Sequence, residues 1–216
     1  ERTEMGQQET AGKGTGRLAA RDLVTVGIFT ALYLVFMMVG GMPFAPNPLL
    51  TFWMPAAVAL LTGPVYLLLI AKVPKHGPLV VLGVVEGLIL FVTGMYWGWA
   101  VACVLFGVVA DVVAGIGRFR SKALNLLAFV VYSLSPMGSY LMLWLDPEAY
   151  GSYLVGRATD PESVKTLTVY MDTMRSAATD WMLPAMILAA VACAVASGLL
   201  GLRLLRRQFE KAGVTA

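Results

Sequence analysis

Lys72-Val-Pro-Lys-His-Gly-Pro78 is a short basic turn set between two long apolar runs. The run before it covers about residues 49–73, and the run after it covers 79–94. Both runs lack the charged stripe of a water-facing helix and are long enough to enter a bilayer, so each reads as a membrane helix with the basic turn at one surface. Four more apolar runs extend outward from this pair, at about 23–41, 97–117, 123–145 and 182–205. The 79–94 run is the shortest. Gly63-Pro64 interrupts the second run and predicts a kink or a break there, because proline lacks the backbone N–H that the helix ladder requires. Pro136 lies inside the fifth.

The charges at the boundaries test this count. Arg17 and Arg21 precede the first run, Lys72 and Lys75 follow the second, Arg118, Arg120 and Lys122 follow the fourth, and Arg203, Arg206, Arg207 and Lys211 follow the sixth. The turns after the first and third runs carry no Lys or Arg, and the long connection after the fifth is acidic. Positive residues collect on the cytoplasmic side of membrane helices. The alternation therefore predicts an all-α integral membrane protein of six helices with both ends inside. Residues 1–20 read as a disordered cytoplasmic tail, 21–207 as the membrane domain and 208–216 as a second tail.

The connection over about 146–181 is too long for a simple turn. Asp160-Pro161 has the signature of a helix start, an N-cap followed by proline at the first helical position. Val164, Leu167, Met171, Met174, Ala178 and Trp181 then recur at spacings of three and four, which places them on one helix face. This predicts an amphipathic helix on the outer side, either packed over the bundle end or serving as a lid.

Composition agrees with the membrane reading: 58% of the 216 residues are hydrophobic and 13% are charged, against roughly 25% charged in a soluble domain. Mean hydropathy is +0.75. A net charge of +3 gives no reason to expect a nucleic-acid partner. Cys103 and Cys193 lie in apolar runs without metal or disulfide spacing and read as small buried residues. No metal, cofactor or catalytic constellation is visible. His76, the single histidine, reads as a plain loop residue. Gly6 to Lys13 superficially suggests a phosphate loop, but the glycine spacing is one residue too long. Gly14 also stands where a magnesium-binding Ser or Thr must be. ATP-driven work would thus fall to a partner.

Two carboxylates lie inside the predicted spans, where a charge is costly and faces protein or a cavity. Glu86 reads either as a substrate ligand or as a hydrogen-bond acceptor between helices. Asp111 reads as the partner of a basic residue near the inner face, or as a subunit contact. Small residues recur every four positions in several helices: Gly27 and Ala31; Gly83 and Gly87; Cys103, Gly107, Asp111 and Gly115; Ala185, Ala189, Cys193, Ser197 and Gly201. Such stripes let helix backbones approach closely, within the chain or between chains. Aromatic residues cluster toward the outer side, among them Phe44, Trp53, Trp99 and Trp181. They fit an interfacial belt, and their asymmetry favours an outer pocket for a flat organic ligand.

Arg21-Asp-Leu-Val-Thr-Val-Gly-Ile-Phe-Thr-Ala-Leu-Tyr33, the proline-rich 40–48 turn, the Gly63-Pro64 interruption and the six-helix plan resemble the S components of energy-coupling factor (ECF) transporters, in particular the MptD or Trep_Strep group. The resemblance covers roughly residues 18–207. It implies a membrane-embedded subunit that captures a vitamin-like substrate and works with a transmembrane T subunit and two ATPases. An S component is thought to topple in the membrane and release its substrate inward. It implies a T-subunit contact through Gly27 and Ala31, at the positions of the family's Ala-x-x-x-Ala pattern, with Gly at the first. It also implies a substrate near the outer face under the first, third and fifth connections. Asn47, Trp53, Glu86, Tyr96, Trp97, Tyr132, Tyr140 and Trp144 form the candidate substrate-binding set. The competing readings are a standalone secondary transporter, which many folds build from internal repeats not evident here, and a membrane enzyme, for which no polar cluster at one depth is present.

Overall fold

A computed structural model describes residues 18–211. The predicted tails, and the Gly6–Lys13 stretch within the first, lie almost wholly outside those residues. Among the described residues the chain is helical with no strand: α1 (Ala20–Gly41), a 3₁₀ turn (Leu50–Trp53) leading into α2 (Met54–Lys72), α3 (Pro78–Val92), α4 (Trp97–Ile116), α5 (Lys122–Tyr132), the short α6 (Met137–Tyr140) and α7 (Met142–Leu145), α8 (Pro147–Val155), α9 (Pro161–Ala177) and α10 (Met182–Lys211). Five segments are long and apolar enough to cross a membrane, with α3 a shorter apolar helix of 15 residues.

Hydrophobic residues cover every side of these helices, so packing rather than amphipathicity decides which faces are inside. α2 is the central post: 67% of its apolar window is buried, against 28% for α1. α2 packs most extensively on α10 and then on α1, while α4 joins α3 to α5. The small-residue stripes account for these seams. A Cβ added at Gly83 would lie 2.3 Å from the Cys103 carbonyl oxygen, and one at Gly107 would lie 2.9 Å from the Leu79 oxygen. α3 and α4 therefore touch backbone to backbone. Gly63 of α2 faces Ser197 of α10 at 2.3 Å by the same measure. Gly27 has nothing within 4 Å, so the α1 stripe is left uncovered.

The structure differs from the sequence expectations in four places. Of the kink or break expected at Gly63-Pro64, the break does not occur: α2 is continuous there, and Gly63 packs closely on Ser197 of α10. The fifth run is not one helix. α5 stops at Tyr132, Ser133 to Pro136 form turns, and α6 and α7 follow; Pro136 has no N–H to donate to the Tyr132 carbonyl four residues back. The long connection holds two helices rather than one. α8 begins with Asp146 capping Ala149 N–H and Pro147 in the first turn. The apolar stripe of α9 is buried only at its middle: Met171 and Met174 are enclosed, whereas Val164 and Trp181 at its extremities are exposed.

Lys75, His76, Asp22, Asp111 and Phe119 gather at one end of the bundle. Asp22 accepts both the Ala19 N–H (2.9 Å) and the Lys75 ammonium (2.7 Å). Asp111, near the end of α4, accepts the Gly77 N–H at 2.9 Å and pairs with His76 Nδ1 at 2.9 Å. His76 also sits edge-on to the Phe119 ring at 4.9 Å. It is thus no plain loop residue, and Asp111 does have a basic partner. Gly77, at φ 112°, is free to turn into α3 where another residue would be strained.

Candidate functional site

The opposite end of the bundle holds a cavity of about 380 Å³, within the range of small-molecule sites. Three parts of the bundle wall it. The first connection and the start of α2 supply Ala45, Pro46, Thr51 and Met54; the α3–α4 turn supplies Met95, Tyr96 and Trp99; α6 supplies Ser139 and Tyr140. Gly94, at φ 77°, makes the tight turn that leads into Tyr96. α8 and α9 roof the space with Tyr150 and Tyr153 from the former and Thr166, Leu167, Tyr170 and Met174 from the latter, and the turn after α8 adds Arg157.

A backbone seam sets the distance between two of the walls. Gly98 and Gly138 approach so closely that a Cβ on either would lie 2.4 Å from the other's carbonyl oxygen. Tyr96 and Trp99 flank the first glycine, and Ser139 and Tyr140 follow the second. Tyrosine hydroxyls then tie the parts together. Tyr140 donates to the Thr51 carbonyl oxygen at 2.8 Å, Tyr170 donates to the Ala45 oxygen at 2.7 Å, and Tyr153 donates to the Gly94 oxygen. Tyr96 meets the Tyr153 and Tyr150 rings edge-on at 5.0 and 5.2 Å, an arrangement favoured by ring quadrupoles. Burial pushes the Tyr150 phenol up to about 12 and raises Tyr153 and Tyr170 as well. A phenol with a raised value keeps its proton until strongly alkaline pH, so all three remain neutral donors near neutrality.

The structure distributes the predicted site residues unevenly. Tyr96 and Tyr140 line the cavity. Asn47 instead caps its own turn, accepting the Leu49 and Leu50 N–H groups. Trp53 and Trp97 are exposed, the latter resting on Tyr96 at 5.6 Å. Trp144 packs beside the enclosed residues of this end with its indole N–H buried. Glu86 and Tyr132 come together away from the cavity. The Tyr132 hydroxyl donates to Glu86 across α3 and α5, and the Tyr33 and Tyr66 rings stand 5.7 and 5.4 Å from Tyr132. Both members of this pair are fully buried, where an unpaired carboxyl would be costly. Gly27 and Ala31 lie on the exposed face of α1.

Sequence reasoning missed the α8 contribution. Tyr150 and Tyr153 are three apart on one face of α8, behind an Asp-Pro start like that of α9, and Arg157 follows in the turn that ends the helix. On α9, Tyr170 was missed because the search followed apolar residues alone. No group of three or more His, Cys, Asp or Glu side chains that could hold a metal is present among the described residues. The site offers aromatic surface, hydroxyls and one guanidinium, which suit binding.

No curated protein and no solved structure matches the chain significantly. A family sequence profile does, over residues 20–211, nearly the whole described chain. The chain belongs to the Trep_Strep family, described as hypothetical bacterial integral membrane proteins, and its several apolar helices make it a multi-pass protein of the cell membrane.

Proposed function

We propose that this protein is the substrate-binding membrane subunit of an ECF-type importer. It captures a vitamin-like or similar small organic nutrient and releases it inward together with a T subunit and two ATPases. In this reading it is a binding and transport subunit rather than an enzyme. The observation that carries the reading is the roofed, tyrosine-lined cavity at the end of the bundle away from the basic turns. α3 counts as the sixth span: its 15 residues rise about 22 Å, and mismatch with a thicker bilayer is met by local thinning. Lys72, Lys75, Arg118, Arg120 and Lys122 then mark the cytoplasmic surface, and the cavity faces outward beneath α8 and α9.

The uncovered α1 stripe supports a partner. Gly27 and Ala31 are exposed, and Val24 and Ile28 beside them are 64% and 56% exposed. Small residues on a lipid-facing helix surface allow a second helix to approach closely. The test is affinity purification of the full chain from its own membranes. Wild type is expected to bring down a T subunit and two ATPases. Gly27→Leu combined with Ala31→Leu is expected to insert and melt normally, since Gly27 has open space around it, and to lose those partners. Retained assembly in the double variant, or uptake driven by an ion gradient without ATPases, overturns the proposal.

A further inference from the structure

The cavity at the roofed end has a lopsided charge. Among the described residues, Arg157 is the only charged one in the cavity lining, with no Asp or Glu. The two ion pairs among the described residues both lie at the opposite end, so no carboxylate pairs with Arg157. Its contacts are with Tyr153. Arg157 Nη1 donates to the phenol oxygen at 3.3 Å, and the guanidinium carbon stands 5.9 Å from the ring centroid. A guanidinium has five N–H donors, and a single phenol leaves most of them uncommitted. Asp160, close by in sequence, is engaged elsewhere. Its carboxylate accepts from the backbone of Glu162 and Ser163 and from the Ser163 hydroxyl. These bonds hold it below the usual carboxylate range.

The neutral groups repeat the bias. The carbonyls of Ala45, Thr51 and Gly94, which could have coordinated a cation, each already receive a tyrosine hydroxyl. Trp99, also part of the lining and 8% exposed, buries an indole N–H that has no acceptor. The indole N–H is a donor left over inside the lining, and the one full charge among the described lining residues is positive. Tyrosine rings supply flat apolar surface on either side.

We propose that the cavity selects a planar ligand bearing an anionic oxygen group, a carboxylate or a phosphate, with Arg157 as its counter-ion. This rests on the binding role proposed above and names its substrate class. Guanidinium–oxyanion bonds are charge-assisted and can be bidentate, which gives them directional specificity as well as strength. A cationic ligand meets a like charge and no carboxylate among the described residues that line this cavity.

The test uses the purified full chain in detergent and three probes that share one ring system, 1-naphthoate, 1-naphthylmethanol and 1-naphthylmethylammonium, titrated by calorimetry. Naphthoate is expected to bind at least about tenfold tighter than the ammonium probe. Arg157→Gln is expected to weaken naphthoate about tenfold and to leave naphthylmethanol unchanged; Arg157→Lys should keep part of the preference. Equal naphthoate affinity in wild type and Arg157→Gln, a preference for the ammonium probe, or no saturable binding by any probe overturns the proposal. Arg157 lies far from the α1 stripe, so Arg157→Gln should still co-purify with the partner subunits. Failure here with assembly intact counts against the ligand class and leaves the transporter reading standing.

Discussion

At one end of the bundle carboxylates meet a lysine and a histidine. Asp22 holds Lys75 at 2.7 Å and Asp111 holds His76 at 2.9 Å. At the other end phenols meet backbone carbonyls, with Tyr140, Tyr153 and Tyr170 reaching across 89, 59 and 125 residues of chain. The first arrangement closes short turns. The second ties long connections to one another at a distance, and a space remains beneath them. Carboxylate closure and phenolic closure are therefore two solutions to joining helix ends, and the phenolic one here walls a cavity.

The largest effect that would break this comparison is at the seam under the cavity. Gly138→Val places side-chain atoms against the Gly98 carbonyl oxygen, already 2.4 Å from a Cβ, and neither backbone can move aside. A loss of about 3 kcal/mol, or failure to give a monodisperse protein, is expected. Wild-type melting in detergent would show that the seam does not space the walls. Next in size is Asp111→Ala at the ionic end, which removes the acceptor of both His76 and the Gly77 N–H. A cost of about 2 kcal/mol is expected, read as a lower melting temperature with cavity binding intact. If ligand binding fell in step with stability, the two ends would be coupled rather than independent. The smallest effect belongs to Tyr170→Phe, which deletes one neutral bond to Ala45 and keeps the ring. A loss of about 1 kcal/mol is expected, concentrated in faster amide exchange of α9 with α2 unchanged. Uniform acceleration throughout the chain would mean that α9 does not open separately.

Much of this architecture was legible in the residues, and the exceptions have identifiable causes. The apolar runs located the five long apolar segments and α3 because lipid-facing surfaces must be hydrophobic along their whole length. Asp160-Pro161 marked the α9 start correctly. Asp146-Pro147 carries the same signature and marks α8, yet it lies directly after an apolar run and passes for the end of the preceding span. Gly63-Pro64 reads locally as a break, but the helix there is held by α10, a contact nearly 140 residues away that no local rule contains. The candidate site divides similarly. Glu86 was recognisable as a buried carboxyl from its position alone, whereas its pairing with Tyr132 depends on the crossing of α3 and α5. Tyr150, Tyr153, Arg157 and Tyr170 sit in segments that look like polar linkers and become a site only when α8 and α9 fold over the bundle.

The ties from Tyr153 to Gly94 and from Tyr170 to Ala45 have a kinetic consequence. Lifting the two roof helices away breaks neutral hydrogen bonds and no ion pair among the described residues, since both ion pairs lie elsewhere. Dissolved salt screens charges but leaves such bonds almost untouched. Under the proposed binding role, the encounter of Arg157 with an anionic solute slows as ionic strength rises, while the breaking of the roof's neutral bonds keeps its own pace. Salinity therefore acts as a tool that separates arrival from admission in this protein.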